Sequence, residues 1–324
     1  MSTNMTASAP DRRNDDALSH DTVPAANPPS WQSRLIDRLL WRLPLKKQTS
    51  SAAVVQAHVQ RLALRPASYA PTRLGRDVRV RLTGFAGWPV YETAPSSGAG
   101  RNRVLFLHGG GFVNEIVPAH WRFVAHLTRA AGVRCIVPIY PVAPRGTAGE
   151  IVPAVGALLR EMLAGAQTGK VTLIGNSAGA GMALACAQWL REAGHRQPDD
   201  LVLISPALDA SVGRPEQAEI AARDPMNDIP GMREVARLYA GGLELTHPWV
   251  SPLNGGMHGL APMLVFAGTH DLLYPDSVAL AEKARSAGVP VELHLRRGQP
   301  HNYPGMPTPE GREAREAILR VLAR

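Results

Sequence analysis

The sequence predicts an α/β fold in which a largely parallel sheet carries helices on both faces. From Arg103 onward, short apolar runs of strand length alternate with stretches of helical periodicity, which is the order typical of β-α-β units. The apolar runs are continuous rather than alternating, as expected for strands that are buried on both faces. With 324 residues, of which 45% are hydrophobic, the chain is long enough to form a sizeable core.

The residues before this alternating region have a different character. Residues 1–30 are rich in Ser, Asn, Asp, Ala and Pro and are predicted to form a disordered tail, without the apolar segment of a secretory signal. A helix is predicted over 31–43, where apolar residues recur at helical spacing and Ser30 can cap the first turn. A second helix is predicted over 52–64. We expect these helices, within 31–66, to form part of a cap.

The remaining elements are predicted to form one domain over 67–324. A Pro-rich stretch at about 207–250 interrupts the alternation and is expected to be an insertion that contributes to the cap. The three helices predicted inside the alternating region are 121–131, 149–163 and 178–192. The eight predicted strands are 78–82, 88–92, 104–107, 135–139, 171–174, 201–204, 263–266 and 291–295.

Composition argues against several classes of protein. No apolar run approaches the roughly 18 residues that a membrane span needs. The net charge of +8 comes mainly from arginines that are scattered without interleaved aromatic residues, so nucleic-acid binding is not indicated. Cys135 and Cys186 cannot form a disulfide framework or a zinc site and are expected to be buried thiols. We therefore expect a cytoplasmic protein without stable membrane insertion, and its oligomeric state remains open.

The strongest motif is Gly175-Asn176-Ser177-Ala178-Gly179, which lies between a predicted strand and a predicted helix. A serine in a sharp strand-to-helix turn needs glycines two residues before and after it, because larger side chains would collide with the sheet. The turn would leave the Ser177 hydroxyl exposed at the carboxyl edge of the sheet. The following helix would add free N–H groups and partial positive charge. Ser177 is therefore the predicted nucleophile.

Three successive glycines follow the predicted strand at 104–107, in the sequence His108-Gly109-Gly110-Gly111-Phe112. Because glycine has no side chain, the N–H groups of Gly109 and Gly110 can approach a reacting carbonyl oxygen. Together with the N–H of Ala178, they are predicted to form an oxyanion hole. The alternative is a flexible hairpin or phosphate loop, but the absence of a following Gly-Lys-Ser/Thr excludes a nucleotide-binding P-loop.

A nucleophilic serine needs a base. His301 follows the last predicted strand in a segment of turn residues, at the same sheet edge as Ser177, and it is the predicted base. His294 lies inside that strand and is expected to be packed. His270 directly precedes Asp271, and adjacent side chains of an extended chain point to opposite sides, so the two are poorly placed to share a pocket.

The base needs an acid that orients it. Asp271 follows the strand at 263–266 and is the predicted acid, because the order Ser177, Asp271, His301 is the order in which such triads occur in one α/β fold. Asp276 and Asp209 are alternative acids.

These motifs resemble those of the α/β-hydrolase fold, in particular the hormone-sensitive-lipase-like group of bacterial esterases. The resemblance extends from about Arg101 to the C-terminus. It implies a serine carboxylesterase whose cap combines N-terminal helices with an insertion before the penultimate strand. The matching segments are 108–112, 140–144, 175–180, 205–206, 224–225, 238–242, 251–253, 268–276 and 298–301.

The chain departs from the pattern of this group at three positions. Asn176 stands where the group usually has aspartate, Ala180 where it has glycine, and Pro141 where it has arginine. None of these changes removes a reacting group. They bear on substrate range and on local loop contacts.

The expected function is hydrolysis of short- to medium-chain acyl esters through an acyl-enzyme formed on Ser177. The small-molecule ester is the expected partner, and no metal or cofactor is expected to be required. Amidase or arylformamidase activity with the same three residues is one alternative. A small-molecule receptor is another, but the resemblance implies that related plant receptors have lost the catalytic histidine, whereas His301 is present.

The predicted helix at 31–43 has an apolar face made by Trp31, Leu35, Leu39 and Leu43. We expect this face to pack against the insertion, which presents apolar residues at helical spacing. The alternative is a basic amphipathic helix that lies on a membrane surface. The expected apolar partners in the insertion are Met232, Val235, Leu238 and Tyr239.

Overall fold

The computed structural model describes residues 27–72, 74–98, 100–166 and 169–324, and within them it confirms the predicted α/β fold. The strands are Val78–Phe85 (β1), Trp88–Pro95 (β2), Arg103–Leu107 (β3), Arg134–Pro138 (β4), Val171–Asn176 (β5), Asp200–Ile204 (β6), Met263–His270 (β7) and Val291–Pro300 (β8). They form one sheet in the order β1-β2-β4-β3-β5-β6-β7-β8. The pairings of β1 with β2 and of β2 with β4 are antiparallel, and the other pairings are parallel.

Helices cover both faces of the sheet, as the continuous apolar strands predicted. The helices are Trp31–Arg42 (α1), Ala52–Ala63 (α2), Pro118–Ala131 (α3), Ala148–Ala164 (α4), Ala178–Glu192 (α5), Pro215–Ala221 (α6), Ile229–Ala240 (α7), Tyr274–Ser286 (α8) and Pro309–Ala323 (α9). One core forms between the sheet, α3 and α9. The other forms between the opposite face, α4, α5 and α8, and continues into α7. Residues 104–107 of β3 are fully buried between the two cores.

The segments predicted to form a cap lie against each other on the core face that carries α7. The helix α2 packs against α7, and Gln56 donates a 2.9 Å hydrogen bond to Glu234 between them. A short 3₁₀ turn at Lys46–Thr49 also contacts α7. There the backbone of Thr49 passes so close to Gly231 that a Cβ at that glycine would collide with it.

The apolar residues predicted to pack in the insertion are buried, except Leu238, which is half-buried, and their partner is not α1. Met232, Val235 and Tyr239 are buried, and the ring of Tyr239 stacks on Phe112 with 4.0 Å between ring centroids. Because α2 occupies the position predicted for the first helix, the prediction that the first helix packs on the insertion is wrong.

The helix α1 instead packs against β8 and α9. Its buried residue is Ser33, whose hydroxyl donates a 2.7 Å hydrogen bond to Glu310. The apolar residues predicted to pack are exposed, with exposed fractions of 64% for Trp31, 47% for Leu35 and 46% for Leu39.

Only residues 27–30 of the predicted tail belong to the described residues, and residues 1–26 lie outside them. Ser30, which we had included in the tail, caps α1 and donates a 2.9 Å hydrogen bond from its hydroxyl to Glu310. Within the described ranges, no helix is both long and apolar enough to cross a lipid bilayer.

Candidate active site

The sharp turn between β5 and α5 holds Ser177 in a strained conformation. Its φ and ψ angles are +54° and −119°, in a region that residues with a Cβ rarely occupy. A Cβ at Gly175 would collide with the backbone of Gly179 and Ala180, and one at Gly179 would collide with the carbonyl of Leu107. The two glycines therefore allow the close approach that the turn requires, as the sequence predicted.

Three predicted residues meet at the carboxyl edge of the sheet. His301, directly after β8, lies with Nε2 2.9 Å from Ser177 Oγ. Its Nδ1 lies 2.9 Å from Oδ2 of Asp271, which directly follows β7. All three side chains are buried. This arrangement is suited to moving a proton from the serine to an imidazole that a carboxylate orients.

The alternative acids bind other partners. Asp276 forms a 2.6 Å ion pair with Arg214, and Asp209 accepts a hydrogen bond from the N–H of Ser211. Asp271 is therefore the carboxylate among the three candidates that contacts His301.

The histidines set aside in the sequence analysis also have other partners. His294 lies 2.5 Å from Glu292, and His270 lies 3.4 Å from Asp37 of α1. Neither interaction involves the serine.

The charges around His301 favour its protonated form. Burial alone would lower the pKa of the imidazole, but the charge of Asp271, the hydrogen bond to it and the charge of Asp224 together raise that pKa above its ordinary value. The carboxylates would therefore stabilise the imidazolium that forms when the histidine accepts a proton.

Asp224 is a site residue that the analysis of single motifs did not assign, although 224–225 belong to the segments that carried the resemblance. Its fully buried carboxylate accepts hydrogen bonds from the N–H groups of Leu272 at 2.8 Å and Met226 at 2.7 Å. Burial and the charge of Asp271 raise the pKa of Asp224 to about 6. It therefore connects the insertion to the residue that follows the predicted acid.

The predicted oxyanion loop follows β3 and lies against the serine turn. A Cβ at Gly109 would collide with the side chain of Asn176 and approach that of Ser177. The carbonyl of Gly110 accepts a 2.9 Å hydrogen bond from the N–H of Asn114, which fixes the loop. Ala178 is the first residue of α5, so its N–H has no acceptor within the helix.

His108 contributes to the position of this loop. Its ring stacks on Tyr140 with 4.5 Å between ring centroids, and its carbonyl accepts a 2.7 Å hydrogen bond from the Tyr140 hydroxyl. Burial and the proximity of His120 lower the pKa of His108 to about 3. It is therefore neutral near pH 7 and poorly suited to act as a second base.

Asn176 joins three parts of the site. Its Oδ1 lies 3.1 Å from Nε2 of His120 in α3, and its Nδ2 donates a 2.6 Å hydrogen bond to Oδ1 of Asn302. The N–H of Asn302 donates in turn to the hydroxyl of Ser205. Burial lowers the pKa of His120 to about 4. The sequence analysis did not assign His120 or Asn302, and no local pattern distinguishes His120 from a packed helix residue.

A cavity of about 360 Å³ opens above Ser177 and His301. One wall comes from the N-terminal segment and the other from the insertion, so both predicted cap segments border the site. Apolar and polar side chains are mixed in the walls, and His58 of α2 lies 2.7 Å from Asn114, which follows the oxyanion loop. The wall residues include Leu45, Gln48, Thr49, Val55, His58, Asn114, Glu115, Val117, His120, Met226, Asn227, Met232 and Val235.

The chain is similar in sequence to known hydrolases. Residues 104–305 match the model of a family described as the alpha/beta hydrolase fold. A "Triacylglycerol lipase" from Mycobacterium tuberculosis is 32% identical over 69% of this chain and 47% of its own length. An "Acetyl-hydrolase" from Streptomyces hygroscopicus is 36% identical over 58% of this chain and 63% of its own length. The matched regions thus cover about half to two thirds of these relatives.

The fold comparison agrees with the sequence comparison. A crystal structure titled an esterase from the bacterial hormone-sensitive lipase (HSL) family has a TM-score of 0.75 and 26% identity, over 92% of this chain and all of that chain. A second, titled "Hormone-Sensitive Lipase from a Metagenome Library", has a TM-score of 0.76 and 26% identity, over 90% and 97% of the two chains. With the match over 104–305 and the serine turn between β5 and α5, they establish that this chain belongs to the alpha/beta hydrolase fold family.

Proposed function

We propose that this protein is a carboxylesterase in which Ser177 is the nucleophile, His301 the base and Asp271 the orienting acid. The observation that carries the proposal is the continuous arrangement of these three side chains, with 2.9 Å at each step, beneath a cavity that can admit a ligand. The names of the relatives, which include lipases, esterases and acetyl-hydrolases, support the same class of reaction.

In the proposed reaction, Ser177 Oγ attacks the ester carbonyl while its proton moves to Nε2 of His301. Asp271 holds the Nδ1 proton and stabilises the charged ring. The N–H groups of Gly109, Gly110 and Ala178 bind the oxyanion of the tetrahedral intermediate. His301 then protonates the departing alcohol. Water attacks the acyl-enzyme with His301 again acting as base, which releases the acid and restores the serine.

The cavity supports a preference for short- to medium-chain acyl groups. Its volume of about 360 Å³ lies near the lower end of the range for ligand sites, about 300–1,000 Å³. Met232 and Val235 of α7 and Val55 of α2 supply apolar walls. We propose that the segments within 31–66 and 207–250 that border this cavity act as the cap and limit the length of the acyl group.

A panel of p-nitrophenyl esters from acetyl to palmitoyl, with the matching anilides, tests this function. We expect kcat/KM to be highest for short or medium esters and to fall for palmitoyl, with anilides hydrolysed much more slowly. The Ser177→Ala variant measures the background rate. Preferential hydrolysis of the anilides would indicate an amidase, and turnover that persists in Ser177→Ala would contradict the assignment of the nucleophile.

A further inference from the structure

Within the part of the chain that the structure describes, the highest concentration of exposed apolar side chains lies in the segment that contains α1. Among the described residues, ten large apolar side chains are exposed, and five of them fall within 31–43. Four of the five recur at every fourth residue, and we call these four the α1 outer face. The fifth, Trp41, lies on another side of the helix, where its ring is 5.5 Å from Nζ of Lys46. Isolated exposed apolar residues are common, but such a concentration within one short segment indicates an interaction surface. Its members are Trp31, Leu35, Leu39 and Leu43.

The position of α1 is fixed by its opposite side. Ser33 is bound to Glu310, Asp37 lies 3.4 Å from His270, and Ser30 caps the helix while bonded to Glu310. These contacts hold α1 against β8 and α9. The α1 outer face therefore points away from β8 and α9, on a helix whose position these contacts fix.

Basic side chains share this exposed side. Arg34, Arg38 and Arg42 are all exposed. Asp37 is the acidic residue in the sequence of α1, and it is turned toward His270 on the other side. The outward surface thus combines tryptophan and leucine side chains with positive charge, which is the composition of helices that lie in the headgroup region of anionic membranes.

The chain after α1 leads directly to the cavity. The segment that follows Arg42 runs through Leu45, Gln48 and Thr49, which line the cavity above Ser177. A surface that holds α1 would therefore lie near residues that border the active site.

We propose that the α1 outer face docks reversibly on the surface of an anionic lipid bilayer. Trp31 and the leucines would enter the headgroup region, and the arginines would contact lipid phosphates. A second copy of this chain is the competing occupant. It is disfavoured because the arginines of one α1 would face those of the other, so that like charges would be brought together.

Co-sedimentation with vesicles tests the proposal on the whole chain. We expect binding to phosphatidylcholine vesicles that contain phosphatidylglycerol, much weaker binding to phosphatidylcholine alone, and a loss of binding as salt increases. Vesicle binding requires no turnover. The result therefore stands whether or not the proposed esterase activity is found.

Two pairs of substitutions separate the apolar and the charged contributions. Leu35→Gln with Leu39→Gln keeps the charge and should weaken binding about tenfold or more. Arg34→Gln with Arg38→Gln should weaken binding and flatten its dependence on salt. The control pair, Leu82→Gln with Leu245→Gln, changes leucines that are 59% and 40% exposed elsewhere and should bind as the unaltered protein does. Thermal unfolding verifies that each variant is folded.

Three results would overturn the proposal. The first is an unaltered protein that does not sediment with anionic vesicles. The second is equal loss of binding in the control pair and the α1 pairs. The third is a dimer in analytical ultracentrifugation that the Leu35 and Leu39 substitutions dissociate without any vesicle binding, which would assign the face to a second copy.

Discussion

The side-chain amide of Asn176 donates a 2.6 Å hydrogen bond to Oδ1 of Asn302. Asn176 directly precedes the proposed nucleophile, and Asn302 directly follows the proposed base. This bond therefore connects the two segments that hold Ser177 and His301 at hydrogen-bond distance. The Oδ1 atom of the same amide lies 3.1 Å from His120. Because the amide both donates and accepts, Asn176 binds both neighbours, which an apolar side chain could not do.

We expect Asn176→Ala to lower kcat by about 10- to 100-fold with a smaller change in KM, because a small displacement between nucleophile and base is costly. Steady-state kinetics on a short-chain ester measures both constants. Asn254→Ala is the matched control, since the Asn254 amide bonds to the carbonyl of Thr246 on an exposed loop. Equal kinetics in the two variants would argue against a positioning role for Asn176.

The three proposed catalytic residues should behave as one unit. Ser177→Ala, His301→Ala and Asp271→Asn should each lower kcat/KM by about 10³-fold or more. Asp276→Asn is a demanding control because Asp276 is equally buried. Its ion pair with Arg214 is structural, so we expect lower stability but nearly unchanged kcat/KM. A large loss of kcat/KM in Asp276→Asn, with nearly unchanged kcat/KM in Asp271→Asn, would identify Asp276 as the acid.

The pH dependence should report the charge of Asp224. His301 must be neutral to accept a proton, so kcat/KM should rise with pH through the pKa of His301, which lies above its ordinary value. The charge of ionised Asp224 helps to raise the pKa of His301. Removing that charge should therefore lower the pKa of His301. We therefore expect Asp224→Asn to move the acid limb of the profile to lower pH.

The control for this shift is Glu219→Gln, which neutralises an exposed carboxylate of α6 that is paired with Arg223. Its acid limb should coincide with that of the unaltered protein. An Asp224→Asn profile that stays in place or moves to higher pH would mean that Asp224 does not act on His301 through its charge.

The contact between the N-terminal segment and α7 can be tested without measuring activity. A Cβ at Gly231 would collide with the backbone of Thr49, whereas one at Gly242 would meet open space. Gly231→Ala should therefore lower the free energy of unfolding by about 1–3 kcal/mol, and Gly242→Ala should leave it nearly unchanged. Urea denaturation measures both values. Equal free energies of unfolding in the two variants would show that packing of the Lys46–Thr49 turn on α7 does not depend on this close approach.

The sequence predicted the features that depend on local patterns. Continuous apolar runs predicted the buried strands, and the glycines around Ser177 predicted the tight turn, because both follow from the steric needs of a few neighbouring residues. Asp271 and His301 could be chosen because each directly follows a strand, and the carboxyl ends of parallel strands meet at one edge of the sheet. The assignment of their catalytic roles remains a prediction.

The features that the sequence did not predict depend on contacts between distant segments. Apolar periodicity indicated an amphipathic α1 but not its neighbour, and the side that packs contains Ser33, which hydrogen bonds make favourable to bury. Likewise, Asp224 and His120 enter the site through partners far away in the chain. No local pattern distinguishes His120 from an ordinary packed side chain, whereas Asp224 lies in one of the segments that carried the resemblance.

The central claim is that Ser177 carries the acyl group during ester hydrolysis. The most direct measurement is intact-protein and peptide mass spectrometry after treatment with a phosphonylating ester analogue. We expect one phosphonyl group per chain, located on the peptide that contains Ser177, complete loss of esterase activity, and no adduct in Ser177→Ala. A phosphonyl group on another residue whose formation tracks the loss of activity, or full activity with Ser177 modified, would contradict the account.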